Sequence, residues 1–197
     1  SSALVTTIQV VLDENGSVRN AKSIGRVLPG IEMRIVDEND TIAKLGQVGE
    51  ICIKGPCVMK GYYNAPEATA EAIVDGWLHT GDLGTMDAQG FFNIVDRKKD
   101  LIIRGGQNIY PVDIEEILYN HPFVVEAAVI ARPDEALGEV PVAFVSLKSN
   151  AMVTVDELLA LCKSELAYYK IPASIQILPE LPKGPTGKIL RRALRAH

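Results

Sequence analysis

Apolar and polar positions alternate along this chain in two rhythms. Up to about residue 96 the rhythm is short and strand-like. Residues 10–12 and the stretch after Ser17 flank Asp13-Glu14-Asn15-Gly16, where Asn-Gly supplies the positive φ angles of a tight hairpin. Residues 31–36 (IEMRIV) alternate and then meet the turn formers Asp37-Glu38-Asn39-Asp40. Residues 50–54 (EICIK) alternate before Gly55-Pro56, and a further strand over 91–95 follows Asp87-Ala88-Gln89-Gly90. One short helix interrupts this pattern, with Asn64 as its cap, Glu67 three residues later and good helix formers over 68–73.

The second half changes period. Pro111 suits the first turn of a helix whose apolar stripe is Ile114, Ile117 and Leu118, and Pro122 follows its end. Residues 124–131 and 141–147 read as buried strands. Thr154 and Glu157 have capping-box spacing ahead of a helix that faces inward with Leu158, Leu161, Cys162 and Leu166. A strand over 174–178 leads into Pro179, Pro182 and Pro185, and a last short helix starts near Ile189. Strand, helix, strand, strand, helix, strand implies a small α+β domain with helices laid on a sheet. The expected fold class is α+β, a β-rich first part joined to a small α+β second part. The boundary falls where alternation meets the charged run Asp96-Arg97-Lys98-Lys99-Asp100. No internal repeat is visible.

Composition narrows the class. With 47% apolar and 23% charged residues in 197, disorder is excluded, and 16 Gly and 11 Pro without a period exclude collagen-like fibres. No apolar run is long enough for a transmembrane span, and the first eleven residues have neither the basic start nor the cleavage pattern of a secretory signal. Cys52, Cys57 and Cys162 are an odd set with no C-x-x-C spacing, which suggests free thiols in a reducing, cytoplasmic setting. His79, His121 and His197 lie far from the thiols in zinc-ligand spacing, so no metal site is expected. Charge is uneven: residues 1–96 hold 7 basic and 13 acidic side chains, residues 97–197 hold 13 and 12. The later basic residues gather at 97–104 and 183–195, which suits an anionic ligand. The net charge of −5 and the lack of interleaved aromatics argue against nucleic acid.

Three short segments could carry chemistry. Gly184-Pro185-Thr186-Gly187-Lys188 ends a flexible loop in a lysine suited to a phosphate. It is not a P-loop, because Pro182 stands where glycine is needed and Ile189 where a magnesium-binding hydroxyl belongs. Asp82, within Gly76-Trp77-Leu78-His79-Thr80-Gly81-Asp82-Leu83, could accept two hydrogen bonds from a ribose diol, or merely cap a turn. Gly105-Gly106 marks a turn or bulge, or lets a ligand approach the backbone. His79 and His121 have no acid or nucleophile nearby in sequence and read as structural.

The strings GEICIKGPCVMKGYYNAPEATAEAI (49–73), DGWLHTGDLG (75–84), FNIVDRKKDLIIRGGQNIYPVDIEE (92–116) and LPKGPTGKILRR (181–192) follow one another in this order. Together they resemble the adenylate-forming superfamily, which includes acyl- and aryl-CoA synthetases, peptide-synthetase adenylation domains and firefly luciferase. The resemblance spans nearly the whole chain but only the final portion of a full-length member. The family's earlier Ser/Thr/Gly-rich ATP loop and its Thr-Glu motif are absent.

The resemblance implies a division into 1–96, the end of a large domain; 97–100, a hinge; and 101–197, a small mobile C-terminal domain. It implies that a carboxylic acid and ATP react to acyl-adenylate and pyrophosphate, and that the acyl group then passes to CoA. Mg2+ would arrive with ATP, its ligands lying outside this segment. Lys188 corresponds to the lysine that bridges acyl oxygen, α-phosphate and ribose during adenylation. Asp82 corresponds to the carboxylate on the ribose hydroxyls, and Arg97 to the arginine on the same ribose and the phosphates. Lys99 occupies the hinge position, Gly105 and Gly106 would line the CoA channel, and Asn108 would touch the intermediate. Ile103 departs from the lysine of coumarate–CoA ligases and luciferase, which points toward acyl-CoA synthetases. A carrier-protein-directed or non-catalytic relative is the alternative. The segment alone is expected to be inactive.

Overall fold

A computed structural model describes residues 7–8 and 23–195. The hairpin expected around Asp13–Gly16 lies outside the described residues. The chain divides into two compact units, 1–99 and 100–197, each with its own sheet.

The first unit is built on antiparallel strands β1 (Thr7–Ile8), β2 (Ser23–Val27), β3 (Glu32–Val36), β4 (Gly49–Lys54), β5 (Ile73–Val74), β6 (Trp77–Met86) and β7 (Phe92–Arg97). They line up in the order β1-β2-β7-β6-β4-β3, with β5 beside β6. Ile35, Ile51, Ile53 and Phe92 form the buried cluster on which Met33 and Met86 pack. Helix α1 (Pro66–Ala72) departs from the sequence reading at its start. Asn64 sits in the left-handed region at φ 52, and Ala65, with no capping side chain, is the N-cap. Thr69 does the tying instead: its Oγ1 donates to the Ala65 carbonyl and accepts from the Tyr62 N–H. Pro66 at the first helical position needs no N–H partner.

The segment around Asp82, where the sequence offered at most a capped turn, is strand β6, the longest among the described residues of this unit and paired with β4 and β7. Gly84 serves the pairing. A Cβ on Gly84 would stand 2.6 Å from the Asn93 carbonyl oxygen and 2.8 Å from Ile51 Cδ1, so the neighbouring strands approach only because nothing is there.

The second unit opens with β8 (Ile102–Arg104) and β9 (Gln107–Ile109). Arg104 pairs with Gln107, and Gly105 and Gly106 between them have φ of 54 and 80, the two positive angles of a two-residue hairpin turn. Helix α2 (Pro111–Tyr119), β10 (Val124–Asp134), β11 (Gly138–Leu147), α3 (Val155–Glu165), β12 (Ser174–Ile177) and α4 (Arg191–Leu194) follow. β11 pairs antiparallel with β10 and β8 and parallel with β12. Thr154 caps α3 in the expected reciprocal box with Glu157.

The central strands are buried on both faces, which is why they read as unbroken apolar runs. Ala127, Val129, Ala143 and Val145 pack with Ile114, Leu118, Leu158 and Cys162 of the two long helices. The intervening Ala128, Ile130, Val142 and Phe144 turn the other way and bury Leu181 and Leu194 of the tail. Each fully buried side chain of this size contributes about 1.5–3 kcal/mol. The tail bearing Lys188 is thus part of the core.

Candidate functional site

Asp82 and Arg97 are directly opposed in the β6–β7 register, and Arg97 Nε lies 2.6 Å from Asp82 Oδ1. Both remain partly open to solvent, Arg97 more so. The backbone behind Asp82 is held from two sides. Thr80 Oγ1 accepts the Asp82 N–H and donates to the Ile51 carbonyl. Glu50 Oε1 accepts the Gly81 N–H at 2.9 Å.

Glu50 was not singled out in the sequence, yet it organises this corner. It is 6% exposed. Its Oε2 accepts from Lys98 Nζ at 2.9 Å and lies 3.1 Å from His79 Nδ1. Burial pushes its carboxyl upward, but Lys98, His79 and the Gly81 N–H outweigh burial and hold it below the usual carboxylate range. Asp82 moves the other way: burial raises it, Arg97 offsets part of that, and the nearby Glu50 charge adds to it. Glu50, His79, Thr80, Gly81 and Lys98 line a cleft of about 460 Å³ together with Tyr62 and residues of α1. The one sequence signal for Glu50 is its place in β4, an acid in a strand otherwise bound for the core.

His79 has partners that spacing did not reveal. It faces Cys52 across the β4–β6 register, with Nδ1 3.5 Å from the Sγ, and Asp40 Oδ1 lies 3.9 Å from Nε2. These three side chains bring possible ligand atoms within 4.8 Å of one another, so the spacing argument against a metal does not hold. The three differ in environment: Cys52 is buried, Asp40 is exposed, and His79 Nε2 is buried without a hydrogen-bond partner among the described residues. Burial and the Glu50 charge push the Cys52 thiol up to about 12, and Arg34 Nη2, 3.6 Å from Asp40 Oδ1, supplies a positive charge there. That guanidinium also lies over the Trp77 ring.

In the second unit, Asn108 lies opposite Ile103 on the β8–β9 hairpin, and both are exposed. The Ile103 N–H donates to Glu139 Oε2, and Arg104 Nη1 donates to the Tyr169 and Ile171 carbonyls. Gly105 and Gly106 form the tip of this hairpin. Lys188 is exposed on a separate turn, closed by Gly184 N–H to the Lys188 carbonyl, Gly187 N–H to the Gly184 carbonyl, and Leu190 N–H to the Pro182 carbonyl. A bridge between Lys183 and Ile189 makes this a hairpin turn, in keeping with the rejection of a P-loop. Lys99 sits in a single 3-10 turn, Lys98–Asp100, within which the chain passes from one unit to the other.

Two family models match: AMP-binding enzyme over residues 2–63 and AMP-binding enzyme C-terminal domain over residues 113–188. The chain is 48% identical to a 2-succinylbenzoate–CoA ligase of Bacillus cytotoxicus, over 88% of this chain and 35% of that protein. It is 50% identical to a long-chain-fatty-acid–CoA ligase of Bacillus subtilis, over 87% of this chain and 31% of that protein. Among solved structures, o-succinylbenzoate CoA synthetase (MenE) from Bacillus subtilis in complex with its acyl-adenylate intermediate superposes with a TM-score of 0.82 at 41% identity, covering 89% of this chain and 36% of that one. ATP-bound MatB from Rhodopseudomonas palustris gives 0.86 at 35% identity, covering 93% and 36%. The chain spans about a third of the length of the relatives it matches. Within that third, sequence and fold agree: the chain belongs to the AMP-binding, adenylate-forming enzymes.

Proposed function

We propose that the chain is the C-terminal part of an ATP-dependent carboxylic acid–CoA ligase. The observation that carries this reading is identity near one half to CoA ligases along almost the whole chain, in a stretch that contains the Asp82–Arg97 pair. In the first step a carboxylate oxygen of the acid attacks the α-phosphorus of ATP, the bond to the β-phosphate oxygen breaks, and pyrophosphate leaves. In the second the thiol sulfur of CoA attacks the acyl carbon, gives up its proton, and AMP departs.

Asp82 accepts hydrogen bonds from the ribose hydroxyls, and Arg97, already fixed by that carboxylate, reaches the ribose and the phosphates. Lys188 brings an ammonium to the charge that builds at the α-phosphate and acyl oxygens, a gain of a few kcal/mol if preorganised. Mg2+ comes in with the nucleotide. Residues 97–100, with Lys99 central, are the hinge between parts 1–96 and 101–197, and a few dihedral changes there exchange the adenylating and thioester-forming poses. In the second pose Gly105 and Gly106 flank the pantetheine arm, and Asn108 meets the acyl-adenylate. Ile103 keeps that surface apolar at its position.

The test uses the longer protein that carries this chain. Incubated with a panel of fatty and aromatic acids, ATP and CoA, it is expected to yield acyl-CoA, AMP and pyrophosphate in equal amounts by mass spectrometry. ADP and orthophosphate, or an acyl group found only on a carrier protein, would overturn the reading. Lys188→Ala is expected to slow adenylate formation about 10²–10³-fold while thioester formation from pre-made acyl-adenylate changes little. The isolated 197-residue segment is expected to release no pyrophosphate.

A further inference from the structure

The turn that presents Lys188 is tied down by a different ion pair on each arm. Before it, Lys183 Nζ lies 2.9 Å from Glu126 Oε1 on β10 and 3.3 Å from Glu180 Oε1. After it, three residues beyond Lys188, Arg191 directs Nη2 at both carboxylate oxygens of Glu115 in α2, at 2.8 and 3.0 Å. The same guanidinium places Nη1 3.9 Å from Asp100 Oδ2. Glu115 is buried, and its Oε1 also accepts the Val129 N–H of β10 at 2.7 Å. One arginine therefore joins helix α2, the lysine-bearing arm and the first residue of the second unit.

We propose that Arg191 is a positioning residue for Lys188, locking its turn to α2 and, through Asp100, to the chain immediately after the hinge. This rests on the adenylation role given to Lys188 above. The physical argument is directional. Leu181, Ile189 and Leu194 pack against the sheet and set how deep the arms lie, but apolar contact does not fix their orientation. A planar guanidinium held on a carboxylate does, because its donors are rigidly spaced. Asp100 follows Lys99 directly, so a rotation at the hinge reaches the lysine turn through a single side chain. Arg192, next in sequence and exposed, provides the control.

Arg191→Gln, Arg191→Lys and Arg192→Gln separate positioning from structure and from net charge. In this chain, hydrogen exchange is expected to speed up about tenfold at the Gly184 and Leu190 amides in Arg191→Gln. Amides of β11 should stay within about twofold of the parent. Arg191→Lys, with one point charge in place of the fork, should fall between, and Arg192→Gln should match the parent. In the longer protein, Arg191→Gln is expected to lower kcat for adenylate formation about 10–100-fold with KM for ATP unchanged. Thioester formation from pre-made acyl-adenylate should stay within about threefold of the parent. Unaltered exchange at Gly184 and Leu190, exchange raised uniformly through β10 and β11, or equal loss in both half-reactions each overturns the proposal. If Lys188→Ala leaves adenylation intact, the adenylation role of Lys188 falls instead, and the exchange data alone decide whether Arg191 holds the turn.

Discussion

Asp82 and Glu50 stand on adjacent strands, and their surroundings push their carboxyl groups in opposite directions. For Glu50, whose folded value is lowered, the stabilising contribution is complete above its ordinary 4.5 and drains away as pH falls through the folded value. Glu50→Gln is therefore expected to flatten the acid limb of the stability curve. Near neutral pH it should cost about 1–3 kcal/mol, because Lys98, His79 and Gly81 lose a charged acceptor. Urea denaturation across the acid range measures both. For Asp82 the sign reverses: burial makes the ionised form costly, and that cost grows as pH rises through the raised value. Asp82→Asn should accordingly change stability by less than about 1 kcal/mol, since relief of a buried charge offsets the lost pairing with the exposed Arg97. In the longer protein it should raise KM for ATP about 10–100-fold, the worth of hydrogen bonds to a charged acceptor. Comparable losses of stability and nucleotide affinity would show Asp82 to be a structural residue.

At the scale of elements, local signals succeeded where they were complete. Thr154 and Glu157 announced α3, and their reciprocal hydrogen bonds are present. Thr154→Ala should lower unfolding free energy by about 1 kcal/mol, read as a shift in urea midpoint with an unchanged slope. Proline at the first turn announced α2 as well, and apolar runs announced β10 and β11. Asn64 shows how an incomplete signal misleads: its backbone is left-handed, Ala65 takes the N-cap position, and Glu67 then stands two residues after the cap instead of three. Strand β6 was hidden for a deeper reason. Gly81, Asp82 and Gly84 are poor strand formers, and pairing with β4, about thirty residues earlier, as well as with the hairpin partner β7 holds the segment in the sheet. Gly84→Ala is expected to cost about 1–3 kcal/mol in thermal unfolding, since β7 or Ile51 must move to admit a methyl group.

For the whole molecule, the consequential feature is that each unit closes its own core. Isoleucines and a phenylalanine close the first, and two helices and the tail close opposite faces of the second. Residues 100–197, expressed alone, should unfold in one cooperative transition and keep the slow exchange of β10 and β11. A non-cooperative melt of that piece would mean that it borrows stability from the first unit. Independent cores are what the proposed hinge at residues 97–100 requires, because a lobe can turn as a body only if its interior does not depend on its neighbour.

The sequence by itself determined the α+β class, most helices and strands of the second half, and the family. Those features are written locally, in caps, periods and contiguous motifs. Only the tertiary structure decided that Asp82 meets Arg97, that Glu50 gathers Lys98, His79 and the Gly81 amide, that His79 lies on Cys52, and that Arg191 binds Glu115 beside Asp100. Each of these contacts joins groups on different elements, often dozens of residues apart. Strand register and core packing choose such partners, and neither leaves a mark in the spacing along the chain.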